Sequence, residues 1–316
     1  MHFCHGTVTN RTLILSSLRF YFRSHLGTLL GALVGCTVLT GALVVGDSVR
    51  GSLRQMALAR LGNVDVALDA GDRFFRAELA SDLQENVKGL SVAVLRVLGT
   101  ALNSDQTARA NRVHVLGVDD NFWKLSRAAT TVPLEENAVA LNEELARQLN
   151  AQVGDTVLIR VHKPSALSRE APISPQEDFS IGLRLKVTAI LDAEQLGRFS
   201  LQANQVPPFN AFVRRDFLAR QLELDDKANL MLLQLPHGEM KSDPEATLRN
   251  LWQLADGELS LRDTSSGLEL RSDRIFLDEP VSKAALNNFP NATFILTYFV
   301  NELRVSVRTT PYSLLP

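Results

Sequence analysis

The chain has 316 residues, 33 Lys and Arg against 35 Asp and Glu, a net charge of −2 and 45% hydrophobic residues. No basic patch is apparent to supply the phosphate contacts of a nucleic-acid binder, which argues against that class. Its two cysteines, Cys4 and Cys36, lie before or within one apolar run, so the rest must fold without disulfides.

Residues 1–25 carry Arg11, Arg19 and Arg23 and no acidic residue. Leu26 to Val45 follow without a charge, LGTLLGALVGCTVLTGALVV. As a helix, at ~1.5 Å per residue, this run is about 30 Å long and crosses a bilayer's hydrocarbon core. The arginines place the N-terminus in the cytoplasm and the chain beyond Gly46-Asp47-Ser48 outside. Two other readings compete with an uncleaved anchor. A cleaved signal peptide has a shorter apolar region and a small-residue cleavage site, which is not evident here. A lipoprotein reading rests on Leu33-Val34-Gly35-Cys36, which fits a lipobox and would make Cys36 the lipidated terminus, although apolar residues continue to Val45. Gly27, Gly31 and Gly35 lie four apart and form overlapping G-x-x-x-G patterns, a helix-packing face for another membrane helix. Glycine is also common in membrane helices without such a role.

Beyond the span, residues 46–120 read as the first half of an α/β subdomain. Val64–Leu68 alternates as a strand, Gly71-Asp72 turns, Phe75, Leu79 and Leu83 mark a helix face, and Ser91–Leu98 is a second strand. Residues 121–225 read as an inserted β-rich subdomain. Ala138–Leu141 is a strand, Asn142 caps a helix with Leu145, Ala146 and Leu149 inward, and Val153-Gly154-Asp155 turns into the strand Thr156–Val161. Leu183–Leu191 alternates as a further strand. Residues 226–285 read as the second α/β half: the strand Leu230–Leu235, a helix opened by Asp243-Pro244 with Leu248, Leu251, Trp252 and Ala255 on one side and Gly257 at its end, and the return strand Leu259–Leu261. The two halves predict a split ferredoxin-like α/β sandwich. The fold class is therefore α+β, one N-terminal transmembrane helix followed by a two-subdomain extracytoplasmic region. Two long proline-containing loops, 162–182 and 194–210, are candidates for partner or substrate contact. Residues 286–316 form a C-terminal segment whose Phe294–Val300 run is too short to span a membrane.

No catalytic, cofactor-binding or metal-binding residue emerges. There is no G-x-x-x-x-G-K-[ST], no H-E-x-x-H, no paired-cysteine motif and no G-x-S-x-G. The acidic pairs Asp119-Asp120, Glu143-Glu144 and Asp225-Asp226 read as solvated surface or helix-start charge. Phe122 and Trp123 read as packing between subdomains.

The segment from Leu39 through Gly46-Asp47-Ser48-Val49-Arg50-Gly51-Ser52-Leu53 resembles the first membrane helix and its exit in FtsX-like, MacB-like ABC transporter permeases. Gly71-Asp72-Arg73-Phe74-Phe75-Arg76, Leu116-Gly117-Val118-Asp119 with Phe122-Trp123, and Leu141-Asn142-Glu143-Glu144-Leu145-Ala146 before Val153-Gly154-Asp155 resemble the same branch in the same order. The resemblance implies a non-enzymatic permease subunit in a bacterial inner membrane, whose outer domain relays motion from a cytoplasmic ABC ATPase to move a substrate or activate an envelope partner. It implies as partners that ATPase, further permease helices or a second permease copy, and an envelope protein or lipid substrate. Such permeases carry at least four membrane helices, so the chain is expected to be the front part of one, truncated in 286–316. A single-span anchored binding or scaffold protein is the alternative. A tethered enzyme has least support, because no catalytic constellation stands out.

Overall fold

The computed structural model describes residues 9–163, 180–202, 205–236, 242–265, 267–274, 277–295, 298–305 and 308–315. Helices α1 (Asn10–Phe20) and α2 (Phe22–Arg60) come first, then strands β1 (Val66–Asp69) and β2 (Phe75–Arg76), helix α3 (Glu78–Val87), and strands β3 (Leu90–Asn103) and β4 (Arg109–Val118). A 3-10 turn at Phe122–Leu125 leads to β5 (Ala138–Asn142), α4 (Glu143–Leu149), β6 (Thr156–His162), β7 (Ser180–Leu191), β8 (Asn210–Arg214) and α5 (Arg215–Leu222). After these come β9 (Lys227–Ala228), β10 (Leu230–Gln234), α6 (Pro244–Leu251), a second 3-10 turn at Leu254–Gly257, and the hairpin of β11 (Leu259–Thr264) and β12 (Gly267–Ser272). Helix α7 (Glu279–Asn288) and the hairpin of β13 (Tyr298–Val305) and β14 (Arg308–Leu315) follow. Part of the Phe294–Val300 run thus enters a strand.

Helix α2 is the one described helix long and apolar enough to cross a membrane, and none of its apolar window is buried against the protein. It does not stop at Gly46-Asp47-Ser48. The strong helix formers of Leu53-Arg54-Gln55-Met56-Ala57-Leu58-Ala59-Arg60 carry it on, about 22 Å beyond Val45 at ~1.5 Å per residue.

The split α/β arrangement is present over three strands. β10 lies between β1 and β3 and pairs antiparallel with both. Helix α3 buries Leu79, Ala80, Leu83 and Val87 against this sheet, with Leu248 and Leu251 of α6 packed beside them. Three expectations change. Phe75 lies in β2, ahead of the helix it was assigned to. Helix α6 ends at Leu251, and Gly257 ends the 3-10 turn instead. The return strand does not join the sheet: β11 pairs with β12, which follows it immediately in sequence.

Strands β3 to β8 close into a barrel. β3 pairs with β4, β4 with β8, β8 with β5, β5 with β7, β7 with β6, and β6 returns to β3. Its interior holds Val97, Val113, Val115, Val139, Leu141, Val157, Ile159, Val161, Leu185 and Val187, completed by apolar residues of α4 and α5. The barrel therefore takes β3 and β4 from residues 46–120 and the rest from 121–225. Leu90–Val94 of β3 pair with β10, whereas Leu95–Leu102 pair with β4. Gly99 permits the crossing, since a Cβ there would lie 2.6 Å from the Arg160 carbonyl oxygen.

His114 is half-buried on β4. Burial first, then Arg96 and Arg112, hold its imidazole below the usual pKa of 6.5. Because the folded value is depressed, the unfolded chain binds the proton more readily, and stability falls as pH drops through about 6.5, levelling off below the folded value. A series of thermal melts between about pH 7 and pH 5 should show this decline, and His114→Gln should flatten it. An unchanged slope in the variant would assign the acid sensitivity to other groups.

Candidate functional site

The end of α2 is built into the domain by main-chain bonds. Arg60 is 7% exposed, the one arginine among the buried described residues, and its Nη2 donates to the Gln205 carbonyl at 3.2 Å. Its Nη1 has no partner among the described residues. Gly62 then adopts φ +63°, the left-handed turn that commonly closes a helix. A Cβ at Gly62 would lie 2.4 Å from the Leu125 carbonyl oxygen and 2.7 Å from Leu196 Cδ2. Asn63 N–H donates to that same Leu125 carbonyl at 2.8 Å, and Asn63 Nδ2 donates to the Ser126 carbonyl at 3.0 Å. Leu61 and Val64 pack onto the core between sheet and barrel. Asp65 completes the passage into β1: its N–H donates to Leu233 and its carboxylate accepts from Leu235 N–H at 2.8 Å.

The receiving surface is the 3-10 turn at 122–125. Asp119 Oδ1 accepts from the N–H groups of Asn121 and Phe122, which starts the turn. Burial pushes the Asp119 carboxyl up, against the opposing pull of Arg215 and these two amides. Phe122 and Trp123 are buried, and Phe122 meets the rings of Trp123, Phe199 and Phe212 at centroid distances of 5.1, 5.8 and 5.8 Å. The expected packing role for this pair is what the structure shows.

The loop 194–210 closes over the same place. Ser126 Oγ donates to the Glu194 carbonyl at 2.7 Å, while Leu196 and Phe199 enter the core. The loop is pinned to α4 by two fully buried asparagines. Asn142 Oδ1 accepts from Leu145 N–H, capping α4, and from Asn210 N–H; its Nδ2 donates to Glu144 and to the Pro208 carbonyl. Asn210 Nδ2 donates to the carbonyls of Gly197 and Phe199. Arg198 Nε meets Glu144 Oε1 at 2.7 Å, and the Glu144 side chain is only 14% exposed. Glu144 is therefore not solvated surface, because the folded-back loop brings Arg198 onto it. Of loop 162–182, residues 164–179 lie outside the described residues.

A second anchor holds the segment after α6. Asp256, its side chain fully buried, accepts from Arg76 N–H, Nε and Nη2, each at 3.0 Å. Glu258 accepts from Phe74 N–H and faces Arg274, while Arg73 pairs with Asp278 and holds that carboxylate below its usual range.

Gly27, Gly31 and Gly35 stand on the open part of α2, where a Cβ at any of them meets nothing within 4 Å. The structure brings them against no described element. Among the described residues there is no cluster of three or more His, Cys, Asp or Glu able to hold a metal ion. The junction residues Arg60, Gly62, Asn63 and Ser126 were not singled out in sequence. The run Ala59-Arg60-Leu61-Gly62-Asn63 does carry the signal, a glycine directly after helix formers.

Residues 26–251 match the family described as the MacB-like periplasmic core domain. No curated protein matches the sequence. Among solved structures, the periplasmic region of MacB from Actinobacillus actinomycetemcomitans is similar at 10% identity and a TM-score of 0.40, covering 72% of this chain and 92% of that one. The extracellular domain of the noncanonic ABC-type transporter YknZ from Gram-positive bacteria is similar at 12% identity and a TM-score of 0.38, covering 66% of this chain and 100% of that one.

Gly62→Ala should destabilise the folded chain by roughly 2–4 kcal/mol, combining left-handed strain with overpacking against Leu125. Gly71→Ala has nearly the same φ, +67°, but open space around its Cβ, and should cost only about 1–2 kcal/mol. Denaturant melts of the two variants measure the difference; equal losses would mean that the close approach at Leu125 contributes nothing.

Proposed function

The chain belongs to the MacB-like periplasmic core domain family, and we propose that it is a permease subunit of an ABC transporter whose outer domain relays work done by a cytoplasmic ATPase. The supporting observation is that α2 is unbroken from Phe22 to Arg60 and ends inside the buried junction. A helix transmits displacement along its axis, and no loop intervenes where motion could dissipate. Its end touches both the 3-10 turn and loop 194–210, so a shift or rotation of α2 reaches the sheet and the barrel together. On this reading the N-terminus is cytoplasmic, residues beyond the span are extracytoplasmic, and the output is movement of a substrate or activation of an envelope partner.

Hydrogen–deuterium exchange on the assembled transporter in nanodiscs tests this. Adding ATP with a verified ATPase present should change amide protection in 122–128 and 194–202. Inserting Gly-Gly-Ser between Arg60 and Leu61 should abolish that change while leaving ATP hydrolysis in place. An intact complex that hydrolyses ATP with no change at these amides would sink the relay.

The glycine face of α2 fits the same reading as a packing surface for further permease helices or a second permease copy. Gly31→Leu combined with Gly35→Leu should reduce assembly on native gels without preventing membrane insertion. Assembly at the original level would show the glycines to be incidental.

A further inference from the structure

The barrel's outer wall assembles a cationic field that the junction does not use. Strands β7, β6, β3 and β4 are consecutive neighbours, and each adjacent pair is antiparallel. Their inward positions fill the core, so the alternate positions face out. Register sets those positions in rows. Arg184 stands opposite Leu158, Leu158 opposite Leu102, and Leu102 opposite Arg109. In the next row Gly182 faces Arg160, Arg160 faces Thr100, and Thr100 faces Asn111. Lys186 lies opposite Thr156.

Arg112 joins them through a bulge. Gly99 pairs with Val113 and Thr100 with Asn111, so Arg112 is the extra residue, with φ 57°. That conformation is unfavourable for a residue with a Cβ, and it leaves Asn111 and Arg112 both exposed. Arg109, Arg112, Arg160, Arg184 and Lys186 are all exposed, and none forms an ion pair among the described residues. None of the four strands contains an Asp or Glu. Among the described residues at the strand ends, Asp105 accepts from Ser104 Oγ, and Asp155 accepts from Gln152 N–H.

The chemistry of the patch selects a partner. It lies at the far end of β3, about 30 Å along the strand from where α2 docks, and α2 itself stands about 22 Å beyond its apolar run. Four of the five cations are arginine, whose planar fork matches carboxylates. The half-exposed Leu98 and the partly exposed Leu102 and Leu158 lie among them, an apolar centre with a charged surround that suits a protein partner.

We propose that this wall docks a segment of a partner protein rich in Asp and Glu. The surface stands on barrel geometry alone and needs none of the ATP-driven motion. Fluorescence anisotropy with a labelled oligoglutamate peptide and the full chain in detergent tests it without an ATPase. Arg160→Glu with Arg184→Glu should weaken binding about tenfold or more, as expected for reversing two complementary charges. Arg262→Glu with Arg271→Glu, exposed on the β11–β12 hairpin, should leave binding unchanged. If the first pair does not fold, Arg160→Lys with Arg184→Lys keeps the charge and should still weaken binding several-fold. No peptide binding, equal loss in both reversal pairs, or tighter binding of heparin or phosphatidylglycerol vesicles than of the peptide would overturn the proposal.

Discussion

Strand β3 belongs to two sheets, and the rest of the molecule is arranged around that fact. Its first half is hydrogen-bonded to β10 in the α/β sheet; its second half is a stave of the barrel, paired on both sides from Gly99 to Leu102. A strand cannot bend sharply between such pairings without losing ladder bonds whose groups have no water to turn to. The two subdomains are therefore joined along a continuous backbone and not through a linker. The core between them, lined by Val92, Val94, Leu116, Phe122 and Phe212 among others, fills the angle that the sharing creates. This is where α2 docks.

The two anchors differ in physical character. At the α2 end the bonds run mainly through main-chain carbonyls of Leu125, Ser126, Glu194 and Gln205, with Gly62 allowing backbone to approach backbone. Apart from the Arg60 guanidinium on Gln205, such contacts fix position closely and depend little on side-chain charge. The second anchor is ionic. Asp256 is fully buried and satisfied by three N–H donors of Arg76. Removing one partner of such a pair costs roughly 3–5 kcal/mol, because the other charge is left buried alone. The first anchor suits delivery of displacement, while the second keeps the segment after α6 in register with β2.

Legibility in the sequence followed the range of the interactions. Locally encoded features read correctly: Asn142 capping α4, Asp243-Pro244 opening α6, and the alternation that made Leu183–Leu191 a strand. Non-local pairing did not. Leu259–Leu261 has strand character, but nothing in it says whether the partner is β1 or the neighbouring β12. The limits of β3 were misread at Leu98 because Gly99 and Thr100 interrupt its apolar run, although the alternation resumes at Ala101. Glu144 does lie in the first turn of α4, but nothing local announces its partner Arg198, which a loop more than fifty residues away brings onto it.

The cationic wall was the least legible feature, for a related reason. Composition shows a chain of net charge −2 with no basic run in its outer part. Strands β4, β6 and β7 of the wall contribute one or two of its cations each and β3 none, and apolar residues that fill the barrel separate them, so no window of sequence is basic. Only antiparallel register, with its period of two, sorts every inward residue into the core and every outward one onto a single face. A one-residue slip of β6 against β7 would turn Arg160 inward and expose Ile159. The hydrophobic interior that holds the barrel closed therefore also enforces the surface charge pattern. The backbone that carries the cations is fixed by the core beneath it, so meeting a partner orders only their side chains.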